Sequence, residues 1–171
     1  MVNNAQMAPK ADRPYMPDDY GLPKTDDGLL PWSYVVERIA QAKNYWVCSV
    51  RPNGRPHAVP LWAAWVDGAL YYDGGPTTIH NRNILSNPNV SVHLEDGTQA
   101  IIFEGVTSPV SKPDRALAER VAEAYRTKYA DLGYAPKADQ WDTGGLYVIK
   151  PTRALAWTKF PTDCTRWTFE S

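Results

Sequence analysis

The amino-acid sequence contains few cysteines and no long apolar segment. Its two cysteines, Cys48 and Cys164, lie far apart in a chain of 171 residues and lack the spacing of a metal site. We therefore predict two free thiols in a reducing compartment. No apolar run approaches the ~18 residues that a membrane span requires, and residues 1–24 contain no signal-peptide core. These absences favour a cytoplasmic protein that has no membrane partner.

The sequence also has no large excess of charge of either sign. The formal net charge is -1 and the isoelectric point is near 6.3, so bulk electrostatics gives no reason to expect a nucleic-acid partner. Only three histidines are present, at His57, His80 and His93. Their spacing matches no metal-ligand pattern, so we predict no metal site.

Familiar catalytic signatures are missing as well. The sequence has no G-x-S-x-G nucleophile turn, no H-E-x-x-H zinc motif and no G-x-x-x-x-G-K-[ST] phosphate loop. Its carboxylates cluster in turns, as at Asp67, Glu95 and Asp96, where turn chemistry explains them. We identify no catalytic residue from the sequence, so a bound cofactor is expected to supply any chemistry.

What the chain does contain is an ordinary globular composition with many aromatic residues. Hydrophobic residues make up 43% and charged residues 22%, and there are 7 tryptophans and 10 tyrosines. This composition suits one domain with a substantial core. Residues 1–30 contain several prolines and little periodic hydrophobicity. We therefore predict an N-terminal arm over residues 1–30 and a single domain over residues 31–171.

The hydrophobic pattern predicts a mainly β fold. A helix is expected to begin at Pro31, because apolar residues recur at helical spacing over residues 32–39. Residues 45–73 are interpreted as three strands joined by two tight turns, which would form an antiparallel meander. A second hairpin is predicted over residues 89–110, and two further strands over residues 145–169.

Two more helices complete the predicted fold. A short helix is expected around residues 78–86, and a longer one after Ser111 with Pro113 in its first turn. The apolar stripe of the longer helix consists of Leu117, Val121, Ala124 and Tyr125. A total of about six or seven antiparallel strands with about three helices favours a closed or nearly closed small barrel.

A glycine turn at residues 74–75 leads into the short helix and is followed by several hydrogen-bond donors. These donors are Thr77, Thr78, His80 and Arg82. Backbone amides at such a turn and helix start bind anions well, so the segment is a candidate phosphate cradle. The alternative is an ordinary helix start, in which Thr77 or Thr78 caps the helix and Arg82 is solvated. The residues alone leave both interpretations open.

The order of these segments resembles a known family. The run "YWVCSVRPNGRPHAVPLWAAWVDGALYYDGGPTTIHNRNILSNPNVSVHLEDG" and the late "TRWTF" are similar to the pyridoxamine 5'-phosphate oxidase-like family of flavin-binding split β-barrels. The resemblance covers the chain from about residue 30 to the end. It implies a split β-barrel that forms a homodimer, with a flavin in a groove between the two subunits.

The resemblance also implies which residues bind the cofactor. The isoalloxazine ring would lie along the second strand, at His57, Val59, Pro60 and Leu61. The phosphate would be held by the donors of the glycine turn, which are Thr77, Thr78, His80 and Arg82, with Asn83 bracing the loop. Arg166 and Trp167 would approach the ring or the substrate from the closing strand.

The expected cofactor is FMN, with the 5-deazaflavin coenzyme F-420 as the alternative. Many relatives carry a lysine or arginine where this chain has Ile79 and His80, and neutral histidine is a weaker phosphate partner than lysine. The resemblance implies an oxidoreductase that transfers a hydride to or from a small organic substrate. The alternative is a non-catalytic carrier that uses the same groove for a flavin, a deazaflavin or haem.

Overall fold

The computed structural model describes residues 8–170, and over this range the protein is a mainly antiparallel β fold with three α-helices. The strands are β1 (Lys10–Asp12), β2 (Tyr45–Val50), β3 (Pro56–Leu61), β4 (Ala64–Val66), β5 (Ala69–Asp73), β6 (Asn89–His93), β7 (Ile101–Val110), β8 (Leu146–Ala156) and β9 (Thr165–Thr168). The helices are α1 (Trp32–Gln41), α2 (Ile79–Ser86) and α3 (Arg115–Tyr129). The predicted mainly β class is therefore confirmed.

The sheet branches along the long strand β8. Its main path runs β1-β9-β8-β7-β6-β2-β3. The first half of β8 pairs with β5, with Ile149 opposite Leu70, whereas the second half pairs with β9, with Ala154 opposite Trp167. Because one edge of β8 serves two different strands, the barrel is split, as the resemblance implied.

A register shift in the β7–β8 pair bends the sheet between Glu104 and Gly105. A Cβ atom at Gly105 would lie 2.5 Å from the carbonyl oxygen of Lys150, closer than any side chain tolerates. This position therefore requires glycine, because only a residue without a side chain lets the two strands approach at the bulge.

The predicted meander over residues 45–73 is wrong. β3 pairs with β2 alone, whereas the β4–β5 hairpin joins the sheet through β8. The chain leaves β3 at Trp62 and Ala63, where the backbone bonds to α3 instead of to a strand. The hydroxyl group of Tyr129 accepts from the Ala63 amide at 3.0 Å, and Lys128 Nζ donates to the Ala63 carbonyl at 3.0 Å. These side-chain hydrogen bonds take the place of backbone pairing with a neighbouring strand, so β3 ends before Ala63.

The helices follow the predictions in position but differ in detail at one start. α1 and α2 lie where they were expected, whereas α3 begins three residues later than Ser111 suggested. Asp114 is its N-cap, and the carboxylate of Asp114 accepts from the Leu117 amide at 2.8 Å. Pro113 therefore precedes the cap and does not lie in the first turn. The buried stripe of α3 consists of Ala118, Val121, Ala122, Tyr125 and Tyr129.

Two apolar clusters form the core. One fills the barrel and includes Val35 and Ile39 of α1, and Trp32 packs against Phe103 and Trp167 there. The other lies between α3 and the β4–β5 hairpin, around Tyr125 and Trp141. Burial of these large aromatic side chains is the main source of stability for a domain of this size.

The predicted arm lies partly within the described residues. β1 pairs with β9, and the guanidinium group of Arg13 donates to the carbonyls of Thr162 and Cys164 at 3.0 Å each. Residues 1–7 of the predicted arm lie outside the described residues. Over residues 8–170, both cysteines are free, no helix is long and apolar enough to cross a membrane, and no group of three possible metal ligands is found.

Candidate functional site

The short helix α2 packs against β2 and β3 and buries polar side chains there. His80, Asn81, Asn83 and Ile84 are buried, whereas Ile79 and Leu85 are exposed. The amide of Asn83 donates from Nδ2 to the hydroxyl of Ser49 on β2 at 2.9 Å. Burying an unpaired amide is costly, so this bond fixes the helix on the strand.

A network of hydrogen bonds fixes the glycine turn that precedes α2. The amide of Gly74 donates to the Gly145 carbonyl at 3.0 Å. Nδ2 of Asn81 donates to the Gly75 carbonyl at 2.9 Å, and Oδ1 of Asn81 accepts from the hydroxyl of Tyr72 at 2.9 Å. The turn is thus held from β5, from α2 and from the start of β8.

The amino terminus of α2 carries no side-chain cap. Thr78 is the N-cap residue, but its side chain makes no capping bond. Its hydroxyl donates to the Gly75 carbonyl at 3.0 Å and lies 3.3 Å from Nε2 of His80. The hypothesis that the Thr78 side chain caps the helix is therefore wrong. First-turn amides that no side chain caps favour an anion, because the positive end of the helix dipole adds to their hydrogen-bonding capacity.

Two neutral histidines face this helix start. His57 lies on β3 opposite Ser49, and Nδ1 of His57 is buried without a hydrogen-bond partner. Burial lowers the pKa of His57, and the positive charge of Arg51 lowers it further. The pKa of His80 is lowered by burial and then by the proximity of His57. Both imidazoles are therefore neutral at pH 7, and either can gain a proton when an anion binds.

The other predicted contacts on β3 divide between the two faces of the strand. Val59 lies opposite Val47 and Leu61 opposite Tyr45, so they share the face of His57. Pro60 lies opposite Trp46 on the other face and is exposed. His57, Val59 and Leu61 therefore share the strand face on which α2 packs, whereas Pro60 lies on the opposite face.

The remaining predicted residues lie in two places. Thr77 and Arg82 are exposed at the start of α2, beside Thr78 and His80. The side chain of Trp167 is only 1% exposed and packs in the barrel against Trp32, with ring centroids 5.4 Å apart. The structure does not bring Trp167 to the cradle within one subunit.

Arg166 is engaged by the N-terminal strand. Its guanidinium group donates to both carboxylate oxygens of Asp12 on β1, at 2.8 and 2.6 Å. These bonds hold the pKa of Asp12 below its usual value. Arg166 therefore fixes β1 to β9 and is not joined to the cradle within one subunit.

Sequence reasoning missed Ser49 and Asn81 and treated Asn83 only as a possible brace. A signal was present in the short helix, because asparagine is a weak helix former and two of them occur within eight residues. Ser49, the partner of Asn83 on β2, could not be identified in this way, because a single serine in an apolar strand does not by itself indicate a site.

The branched antiparallel barrel and the polar cradle at its edge define a split-barrel protein. A protein-family comparison matches residues 34–158 to the family described as Pyridoxamine 5'-phosphate oxidase. Because this match spans most of the chain, the chain belongs to that family, and the resemblance seen in the sequence is confirmed.

Solved structures share the fold. The conserved hypothetical protein Rv2991 from Mycobacterium tuberculosis is similar at a TM-score of 0.60 and 22% identity, over 85% of this chain and 89% of that chain. HutZ, the heme storage protein from Vibrio cholerae, gives 0.52 and 21%, over 68% and 87%. A structure described as F420 reductase gives 0.50 and 22%, over 69% and 94%. Among curated protein sequences, no significant match is found.

Proposed function

We propose that the chain binds a phosphate-bearing flavin, FMN or the deazaflavin F-420, along β3 and the start of α2. The observation that carries the proposal is the cradle itself. It combines a helix start without a side-chain cap, a fixed glycine turn and a buried His57 Nδ1 that lacks a partner. A phosphate oxygen would satisfy such donors, and the exposed Thr77 and Arg82 lie where they would add to its binding.

The cofactor, when bound, would supply hydride transfer to or from a small organic substrate. Thr77, Thr78, His80 and Arg82 would hold the phosphate. Val59 and Leu61, on the face of His57, would present an apolar wall to the ring and exclude water from it. No carboxylate is bonded to any of these side chains within residues 8–170, so the chain's own contribution is binding and orientation.

We further propose that the protein works as a homodimer in the cytoplasm. β3 is an edge strand, and the outer face of β2 and β3 presents Trp46, Cys48 and Pro60 only partly covered. A second copy of the chain over this face would bury the apolar surface and protect the free edge. The two free thiols agree with a reducing compartment.

The test is cofactor titration of the double variant Thr78→Ala with Arg82→Ala. FMN and the deazaflavin are added separately, and affinity is measured by fluorescence quenching. Loss of a charge-assisted bond and a hydroxyl bond should cost about 2–3 kcal/mol, and so weaken binding on the order of 30-fold or more. The matched control is Arg115→Ala with Thr168→Ala, two exposed positions away from the cradle. Equal cofactor affinity in the two double variants would contradict the cradle assignment.

The cradle also favours a second function, that of a non-catalytic carrier. Among the hydrogen bonds described at the cradle over residues 8–170, no acidic or basic side chain other than histidine takes part. One structural neighbour is named as a heme storage protein, which suggests haem as a cargo. Steady-state turnover of the reduced cofactor with small electron acceptors separates the two functions. Tight binding without turnover supports the carrier, whereas multiple turnovers support the oxidoreductase.

A further inference from the structure

A cavity lies next to the glycine turn, between the end of β5 and the connector that leads into β8. Its volume is ≈ 410 Å³, which is within the range of small-molecule sites. It is lined by Trp62, Asp73, Tyr134, Gln140, Trp141 and a glycine stretch that includes Gly145. It shares Gly74 with the glycine turn, but none of the phosphate-holding residues lines it.

A fixed carboxylate lies at this cavity without a cationic partner. The hydroxyl of Tyr134 and Nε2 of Gln140 both donate to Oδ2 of Asp73, the latter at 3.0 Å. Among the ion pairs found over residues 8–170, none includes Asp73. Burial and the neighbouring carboxylate raise the pKa of Tyr134, so its phenol remains a donor. Asp73 thus lines the cavity in a preset position, and over residues 8–170 the side-chain hydrogen bonds found engage its Oδ2 and leave Oδ1 to a ligand.

Aromatic rings form the walls around this carboxylate. Trp62 is stacked on Tyr129 at a centroid distance of 4.8 Å, which fixes its ring, and it is still 37% exposed. The ring of Tyr134 lies 6.1 Å from that of Trp62. Trp141 is buried, and its Nε1 donor has no hydrogen-bond partner.

We propose that this cavity binds an organic cation, an ammonium group that carries a neighbouring oxygen. Aromatic faces attract a desolvated cation by about 0.5–2 kcal/mol, and the Asp73 carboxylate supplies the opposite charge. An oxygen on the ligand would accept from Trp141 Nε1, which is otherwise a buried donor left unsatisfied. The inference does not rest on the flavin, because it uses no residue that would hold the phosphate.

Choline and its neutral isostere 3,3-dimethylbutan-1-ol test the proposal, because they share size and hydroxyl group and differ in charge. Both are titrated into the full-length protein without cofactor, and heat and tryptophan fluorescence are recorded. Choline is expected to bind about tenfold more tightly than the isostere, which corresponds to about 1.4 kcal/mol. Asp73→Asn should remove that preference, because asparagine retains an oxygen for Tyr134 but loses the charge.

The matched control is Asp142→Asn, an exposed aspartate just beyond Trp141 that does not line the cavity. It should retain the full preference for choline. Equal affinity of the wild-type protein for both ligands, or binding of neither, overturns the proposal without reference to any variant. A preference for choline that survives in Asp73→Asn also overturns it, because the cation would then bind elsewhere.

Discussion

Protonation of His57 and His80 should couple anion binding to pH. Burial lowers the pKa of each imidazole, so both are neutral at pH 7 and gain charge at a lower pH than an ordinary histidine. A bound dianion stabilises the protonated forms and raises both pKa values. The sign is therefore fixed: affinity for a dianion increases as pH falls from 8 toward 5.

The size of this effect follows from the charge interaction at the cradle. A full charge at 4 Å interacts by about 4 kcal/mol at an effective dielectric constant of 20. Solvent access to the turn reduces that value to roughly 1–1.5 kcal/mol for each histidine. Each imidazole then contributes about 5- to 13-fold, and the pair about 30- to 160-fold, in dianion affinity across the titration.

Sulfate is the suitable probe, because it stays doubly charged throughout this pH range whereas a phosphate monoester does not. Its dissociation constant is measured by calorimetry at half-unit steps from pH 8 to 5. His80→Gln should remove about half of the increase in the logarithm of sulfate affinity between pH 8 and pH 5. His93→Gln is the matched control, because His93 bonds the Leu94 carbonyl at 2.8 Å and lies on β6 outside the cradle. A flat sulfate affinity in the wild-type protein, or a full increase in His80→Gln, refutes the reasoning.

Two further predictions concern stability and are measured by urea unfolding. Asp114→Ala should cost about 1 kcal/mol, because it removes the cap of α3, whereas Ser111→Ala should change little. Tyr129→Phe should cost about 1–3 kcal/mol, because it leaves the buried amide of Ala63 unpaired. Tyr15→Phe, at a side chain that is 89% exposed, is its control. Equal urea midpoints for a variant and its control, in either pair, would contradict the hydrogen bond assigned to that variant's residue.

The parts of the fold that the sequence predicted are those set by local patterns. Tight-turn residues and apolar alternation located most of the strands, and the glycine turn before residue 78 together with Pro88 after the helix located α2. The predicted meander failed at Ala63 because the bonds that end β3 come from Tyr129, 66 positions away along the chain. No periodicity within residues 45–73 carries information about a helix that far downstream.

The candidate site shows the same division. Thr78 and His80 could be predicted because they follow a glycine turn within one short segment. The pairing of Asn83 with Ser49 joins positions 34 apart, and the burial of a polar helix face is decided only when the helix docks on the strands. The position of Trp167 inside the barrel was equally inaccessible, because alternation along β9 does not show which of its two faces is the interior.

The orientation of α2 links the fold to the proposed function. The face of α2 that packs on the strands is mostly polar, because His80, Asn81 and Asn83 are buried beside Ile84, whereas Ile79 and Leu85 are 38% and 77% exposed. Burying three polar side chains carries a desolvation cost unless each finds a hydrogen-bond partner. The asparagine bonds offset part of that cost, but His57 Nδ1 stays unpaired beneath the helix. A bound anion would satisfy the donors of the cradle that forms where this polar face meets the strands.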